Sequence, residues 1–270
     1  MIMQIKLGFI GCGNMATAII NGAVSSDFIE GENIFVYDID SEKTSFLHEK
    51  HGVNVCDSVE SVAENTQVTV LAVKPQIFPT VLPQIKDVVL EKGTAIVSIG
   101  AGKTLNYIGS FLDDDAKIVR VMPNINAKVG ASMSGVCKNK NVNDNLLQFV
   151  KDLCRSFGDV IELEEDMFPL FGVIAGCSPA YSFMFIDSMA REAVKNGMNK
   201  KDALKICAQA VLGSAKTILE DSDANSWALI NSVCSPGGTT IEGIAVLEQE
   251  GFDKTVMNAV KASLEKDKKL

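Results

Sequence analysis

Along the first half of the chain, short apolar runs alternate with amphipathic stretches, the rhythm of a β–α–β chain built on a buried parallel sheet. Ile5, Leu7, Phe9 and Ile10 make the first run, and Met15, Ala18, Ile19 and Ala23 follow it at helical spacing. Residues 34–37 read as the second strand, 41–50 as a helix, and 68–73, 95–99 and 118–121 as further strands. A polar hinge around 139–144 precedes an amphipathic helix with Leu146, Leu147, Val150, Leu153, Cys154 and Phe157 on one face, and 160–163 form a short strand. From residue 164 on, strand signals stop. The rest predicts helices: an apolar one within 167–186, a long one over 201–220, and two short ones at the C-terminus. The expected fold class is α/β, a doubly wound domain over residues 1–163 followed by an all-helical domain over 164–270.

The first strand runs without a spacer into Gly11-x-Gly13-x-x-Ala16 and then a helix. In that context the motif is a phosphate-binding turn of the Rossmann type: Gly11 permits the bend, Gly13 lets the backbone close on a pyrophosphate, and Ala16 lets helix and strand pack closely. Backbone N–H groups around Asn14 and Met15 would then face the anion. The second strand ends at Asp38, where a carboxylate can accept hydrogen bonds from an adenosine ribose. A strand-end turn places an aspartate there equally well. Lys74-Pro75, Gly100-Ala-Gly102 and Met122-Pro-Asn124 each end a later strand, and in doubly wound sheets such ends line one crevice.

Composition narrows the classes. With 270 residues and 47% hydrophobic content the chain can bury two cores, and a net charge of −9, with no lysine–arginine cluster before the last few residues, argues against nucleic acid. Seven scattered cysteines, none in a CxxC pair, fit reduced thiols in a cytoplasmic protein. His48 and His51 are the only histidines and lie in a polar stretch without a partnering cluster, so no metal is expected. No cationic segment precedes an apolar one at the N-terminus, and no signal peptide is expected. Residues 167–186 run without a charge, long enough to span a bilayer. Pro169, Gly172, Gly176 and Pro179 interrupt them, and a helix buried between subunits and broken near Pro179 is the preferred reading over a membrane span.

A second chemical stretch is Cys234-Ser-Pro-Gly-Gly-Thr-Thr240, placed directly before a helix. Its glycines and hydroxyls suit a carboxylate, with an ordinary capped helix start as the other reading.

Gly8-Phe-Ile-Gly-Cys-Gly-Asn-Met-Ala16, Ala72-Val-Lys-Pro75, Ser98-Ile-Gly-Ala-Gly102, Arg120-Val-Met-Pro-Asn124, Ser178-Pro-Ala-Tyr181 and Ser235-Pro-Gly-Gly-Thr-Thr240 resemble, in that order, the motifs of Δ1-pyrroline-5-carboxylate reductases. The resemblance implies NADPH- or NADH-dependent reduction of a cyclic imino acid to L-proline, a helical dimerisation domain, and a homodimer assembled into a larger ring. It assigns the coenzyme to Ile10, Gly11, Cys12, Gly13, Asn14 and Met15; Asp38, by its place at the strand end, remains the candidate for the ribose. Ala72, Val73, Lys74, Pro75, Ile99, Gly100 and Ala101 would line the nucleotide and nicotinamide. The substrate falls to Ser235, Gly237, Gly238, Thr239 and Thr240, with Thr240 near the ring nitrogen as the catalytic hydroxyl and Asp223 beside the ring. The chain departs from the usual Met-Pro-Asn-Thr-Pro by carrying Ile125-Asn126.

The chemistry agrees with this on its own terms. Hydride addition to a ketone calls for a histidine or lysine acid, and the second half of the chain has no histidine. A protonated imine already carries the electrophilic charge and asks mainly for orientation and a carboxylate anchor. The enzymatic rival, a β-hydroxyacid dehydrogenase, needs a lysine in a Gly-x-x-Gly-x-x-Lys setting, and 172–186 contain none. A silent nucleotide-binding sensor is the rival of another class.

Overall fold

The computed structural model describes residues 5–268, which divide between Gly176 and Cys177 into two compact units. Strands β1 (Leu7–Ile10), β2 (Ile34–Tyr37), β3 (Asn54–Val55), β4 (Val68–Leu71), β5 (Ala95–Ser98), β6 (Ile118–Met122), β7 (Ser132–Lys138) and β8 (Gly158–Glu162) form the sheet of the first unit, in the spatial order 3-2-1-4-5-6-7-8. The first six run parallel; β7 turns back against β6, and β8 lies parallel to β7. Because β1 has β2 on one side and β4 on the other, the chain reverses its winding beside β1, the place where such sheets bind nucleotides.

Helices α1 (Asn14–Ser25), α2 (Ser41–His51), α3 (Val59–Asn65), α4 (Phe78–Lys92), α5 (Leu105–Gly109) and α6 (Asp144–Arg155) connect these strands. All four residues of β1 are buried: Leu7 and Phe9 pack into one core with α1 and α6, and Ile10 joins the core built on α3 and α4. Burial on both faces explains why the strands read as unbroken apolar runs. Local signals set the helix ends. Asp40 caps α2 by accepting from the Glu42 N–H at 3.2 Å, and Asn143 caps α6 by accepting from the Leu146 N–H at 2.9 Å.

The structure corrects two expectations in the helical half. The apolar run does not break at Pro179. It consists of α7 (Phe168–Phe171), a π-helical turn (Gly172–Cys177) and α8 (Ser178–Lys195), with Pro179 in the first turn of α8, where its missing N–H is not needed. The π-turn is held from outside, since Asn124 Nδ2 donates to the Ala175 carbonyl at 2.9 Å. Beyond α9 (Lys200–Glu220) there are three helices rather than two short ones: α10 (Ser226–Val233), α11 (Thr239–Gln249) and α12 (Phe252–Asp267). Gly251, at φ 71°, separates the last two.

Within the second unit α8 and α9 pack along each other. The Tyr181 hydroxyl meets Ser263 Oγ at 2.6 Å, and the rings of Phe185 and Phe252 lie 5.9 Å apart, so α8 is also tied to α12. Among the described residues of this unit only Pro179, Ala190 and Ala203 are buried. Phe183, Met184, Leu212, Leu219, Trp227 and Met257 lie exposed, an apolar surface too large for water alone.

Candidate active site

The turn between β1 and α1 has the predicted form. Gly11 sits at φ 98°, and a Cβ there would lie 2.8 Å from the carbonyl carbon and oxygen of Ala72. Gly13 is the N-cap of α1 in an extended conformation with no side chain capping the helix, and a Cβ on it would meet nothing within 4 Å. The first intrahelical bond at this end runs from the Thr17 N–H to the Gly13 carbonyl. The N–H groups of Asn14, Met15 and Ala16 therefore have no partner within the helix. An open glycine before an uncapped helix start is a cradle for a pyrophosphate, and the residues present fit a nicotinamide dinucleotide.

Two N–H groups of the turn are committed elsewhere. The Cys12 N–H donates to Asp38 Oδ2 at 2.7 Å, while the Gly11 N–H donates to the Tyr37 carbonyl at 2.7 Å, so the glycine turn is stitched to the end of β2. Asp38 Oδ1 accepts from the Asp40 N–H at 2.9 Å and lies 3.7 Å from Lys43 Nζ, which is also 3.2 Å from Asp40 Oδ2. The hydrogen bond to Asp40, and then the charge of Asp38, raise the Lys43 pKa above the usual lysine value. Burial, and then the Asp38 charge, push the Cys12 thiol up to about 12, so it stays protonated and inert.

The other expected coenzyme contacts follow neighbouring strand ends. Ala72 N–H donates to the Ile10 carbonyl at 2.9 Å, and Ile99 N–H donates to the Leu71 carbonyl at 3.3 Å. This places 72–75 and 99–101 beside the glycine turn at the carboxyl edge of the sheet. Lys74 and Ala101 are exposed there, whereas Gly100 is buried against Phe78. Asn124, after β6, is spent on structure: its Oδ1 accepts from Asn126 N–H at 3.1 Å and starts the short helix Ile125–Val129, which is what the Ile125-Asn126 departure builds.

In the second unit, Ser235 to Thr240 form a turn and a helix start. Gly238 N–H donates to the Ser235 carbonyl at 3.0 Å, and Gly237 lies at φ 66°. Gly238 is the N-cap of α11 without a side-chain cap, which leaves the N–H groups of Thr239 and Thr240 free at the positive end of an eleven-residue helix. Asp223 sits in the loop before α10, its N–H bonded to Asp221 Oδ1 at 3.0 Å and its carboxylate exposed. The link from Cys12 to Asp38 had no separate signal in the sequence, because it depends on which N–H of the glycine turn points toward β2.

Residues 6–102 match the family model described as NADP oxidoreductase, coenzyme F420-dependent, and residues 165–270 match that for pyrroline-5-carboxylate reductase dimerisation. Over 269 residues, 99% of each chain, the sequence is 43% identical to the pyrroline-5-carboxylate reductase of Escherichia coli (strain K12). The chain belongs to the pyrroline-5-carboxylate reductase family. The solved reductase of Coxiella burnetii matches it with a TM-score of 0.93 at 31% identity over 98% of both chains. That of Plasmodium falciparum, solved with NADP bound, matches with a TM-score of 0.85 at 34% identity over 98% of this chain and 97% of that one. This reductase-family chain thus carries a nucleotide-binding domain and a dimerisation domain, and self-association accounts for the exposed apolar side chains of the second unit. The helical run Glu165–Lys195, long and apolar enough to cross a membrane by length and composition, lies within the dimerisation match.

Proposed function

We propose that the chain reduces 1-pyrroline-5-carboxylate to L-proline, the last step of proline biosynthesis, with NADPH or NADH. The observation that carries this reading is the 43% identity to the Escherichia coli reductase across the full length of both chains. The bound coenzyme supplies a hydride to the imine carbon. The chain's own residues hold and orient. Asn14 and Met15 N–H groups bind the pyrophosphate, and the 72–75 and 99–101 loops line the nucleotide and nicotinamide.

The substrate carboxylate is read at the start of α11 by the N–H groups of Thr239 and Thr240, with Ser235, Gly237 and Gly238 shaping the turn and Asp223 beside the ring. The Thr240 hydroxyl meets the ring nitrogen. When the imine enters protonated, the C=N π electrons pass to nitrogen as hydride reaches carbon, and the proton already present completes the amine; no further acid is required. The helical domain from residue 164 on, which takes in the second compact unit, builds the homodimer and a larger ring of dimers. Seven free cysteines support a cytoplasmic setting, and the apolar run serves subunit contact rather than a membrane.

The test is oxidation of reduced coenzyme by the purified protein, followed by absorbance, with the five-membered imino acid and its six-membered homologue as substrates. Turnover with the five-membered ring supports the reading. Oxidation of neither coenzyme, at any imine concentration, overturns it.

A further inference from the structure

Asp38, Asp40 and Glu42 set three carboxylates where the chain leaves β2 and enters α2, against one ammonium, that of Lys43. In this sheet topology the residue ending the second strand meets the ribose of the adenosine. We infer that the chain selects NADH over NADPH at this point, with Asp38 as the specificity-determining residue; the inference rests on the coenzyme-dependent reduction proposed above.

Asp38 cannot turn aside for a 2′-phosphate. Its side chain is only 11% exposed, and each oxygen holds a backbone N–H, from Cys12 at 2.7 Å and from Asp40 at 2.9 Å. Swinging it away would strand the Cys12 N–H in a residue that is 2% exposed, and an unpaired buried donor is costly. Each oxygen keeps lone-pair capacity beyond its backbone donor, enough to accept from the ribose 2′- and 3′-hydroxyls. A 2′-phosphate brings acceptors and negative charge and has nothing to donate.

The local cation does not reverse this. Lys43 is already paired with Asp40 and Asp38, so the cluster stays net negative when Lys43 is counted. Ile39, 93% exposed, supplies an apolar side chain where a phosphate would ask for a guanidinium, and the sequence has no arginine before Arg120. The Plasmodium falciparum relative was solved with NADP bound but is 34% identical to this chain; the two coenzymes differ at the 2′-position of the adenosine ribose, so the choice here rests on this chain's own residues at the end of β2.

The experiment is direct titration of the full-length protein with NADH and NADPH by calorimetry, alongside kcat/KM for each with the imine. NADH should bind about tenfold more tightly or better, with the gap carried by KM and shrinking as salt is added. Asp38→Asn keeps an acceptor for the Cys12 N–H and removes the charge; it should bring the two affinities close together with little change in Tm. Asp38→Ser combined with Ile39→Arg should reverse the preference. Equal or tighter NADPH binding by the wild-type chain, or an unchanged ratio in Asp38→Asn, overturns the inference. If neither coenzyme supports imine reduction, the functional reading falls, while the ratio of the two binding constants still decides the selectivity.

Discussion

Glu165 Oε1 accepts from Arg120 Nη1 at 3.1 Å and from the Leu105 N–H at 2.7 Å, so one oxygen joins the middle of β6 to the start of α5. Arg120 is 5% exposed, stacks 4.4 Å from the Phe168 ring centre, and leaves its Nε without a partner. Removing the carboxylate paired with it would leave a charge in the interior. Glu165→Ala should therefore cost about 3 kcal/mol, while Arg120→Met, which keeps the bulk and leaves Glu165 partly hydrated, should cost less than half of that. Urea unfolding at fixed protein concentration compares them. Equal losses would remove the asymmetry.

The two glycines of the phosphate turn should fail in different ways. Gly11→Ala meets both a positive φ and the Ala72 backbone at 2.8 Å, and should lower stability by about 1–3 kcal/mol as well as coenzyme affinity. Gly13→Ala meets no protein atom and should keep the wild-type Tm. On the coenzyme placement proposed above its methyl would meet the pyrophosphate, so coenzyme Kd should rise about tenfold or more. A Gly13→Ala protein with unchanged Kd would show that the pyrophosphate lies elsewhere.

Thr240→Ala should lower kcat by roughly 5- to 100-fold, the range of one lost hydrogen bond in the transition state, with little effect on coenzyme Kd. Thr240→Ser should restore most of the rate, because it returns the hydroxyl. Wild-type turnover in Thr240→Ala is the outcome that removes Thr240 from the chemistry.

Cys12, with its thiol held near pKa 12 by burial and then by Asp38, carries almost no thiolate at neutral pH. Iodoacetamide should spare it in the native protein and modify it only after unfolding, as read by mass spectrometry of the peptide containing Gly11 to Met15. Rapid native labelling would contradict both the burial and the direction of the shift.

The parts of the fold that were legible are those where one residue class repeats on a fixed period. β1, β4 and β5 are buried on both faces and read as apolar runs, and the glycine turn followed from its position between β1 and α1. β7 was not legible. Its Ser-Met-Ser-Gly-Val-Cys-Lys mixes small polar and apolar residues because the buried Ser132 hydroxyl accepts from the Asn124 N–H and pairs with Ser134 Oγ, and Gly135 leaves room for the Phe171 ring, against which a Cβ would stand at 2.9 Å. Those demands come from partners outside the strand, one of them 36 residues on at Phe171. α4 was masked by Pro79 and Pro83, although Phe78, Val81, Leu82, Ile85 and Val89 keep helical spacing on its buried face. At the site, residue types and spacing indicated Asp38, but only the fold shows that both of its oxygens are already engaged.

The nearly core-less second unit makes the protein's durability a matter of mass action. A helical unit with three small buried residues draws its cohesion from another copy, so folding and association are one equilibrium for that half of the chain. Each tenfold dilution then withdraws about 1.4 kcal/mol from the assembled state. The nucleotide-binding unit, with two cores of its own, carries no such dependence, and on dilution the helical half should loosen first while the nucleotide-binding half stays folded.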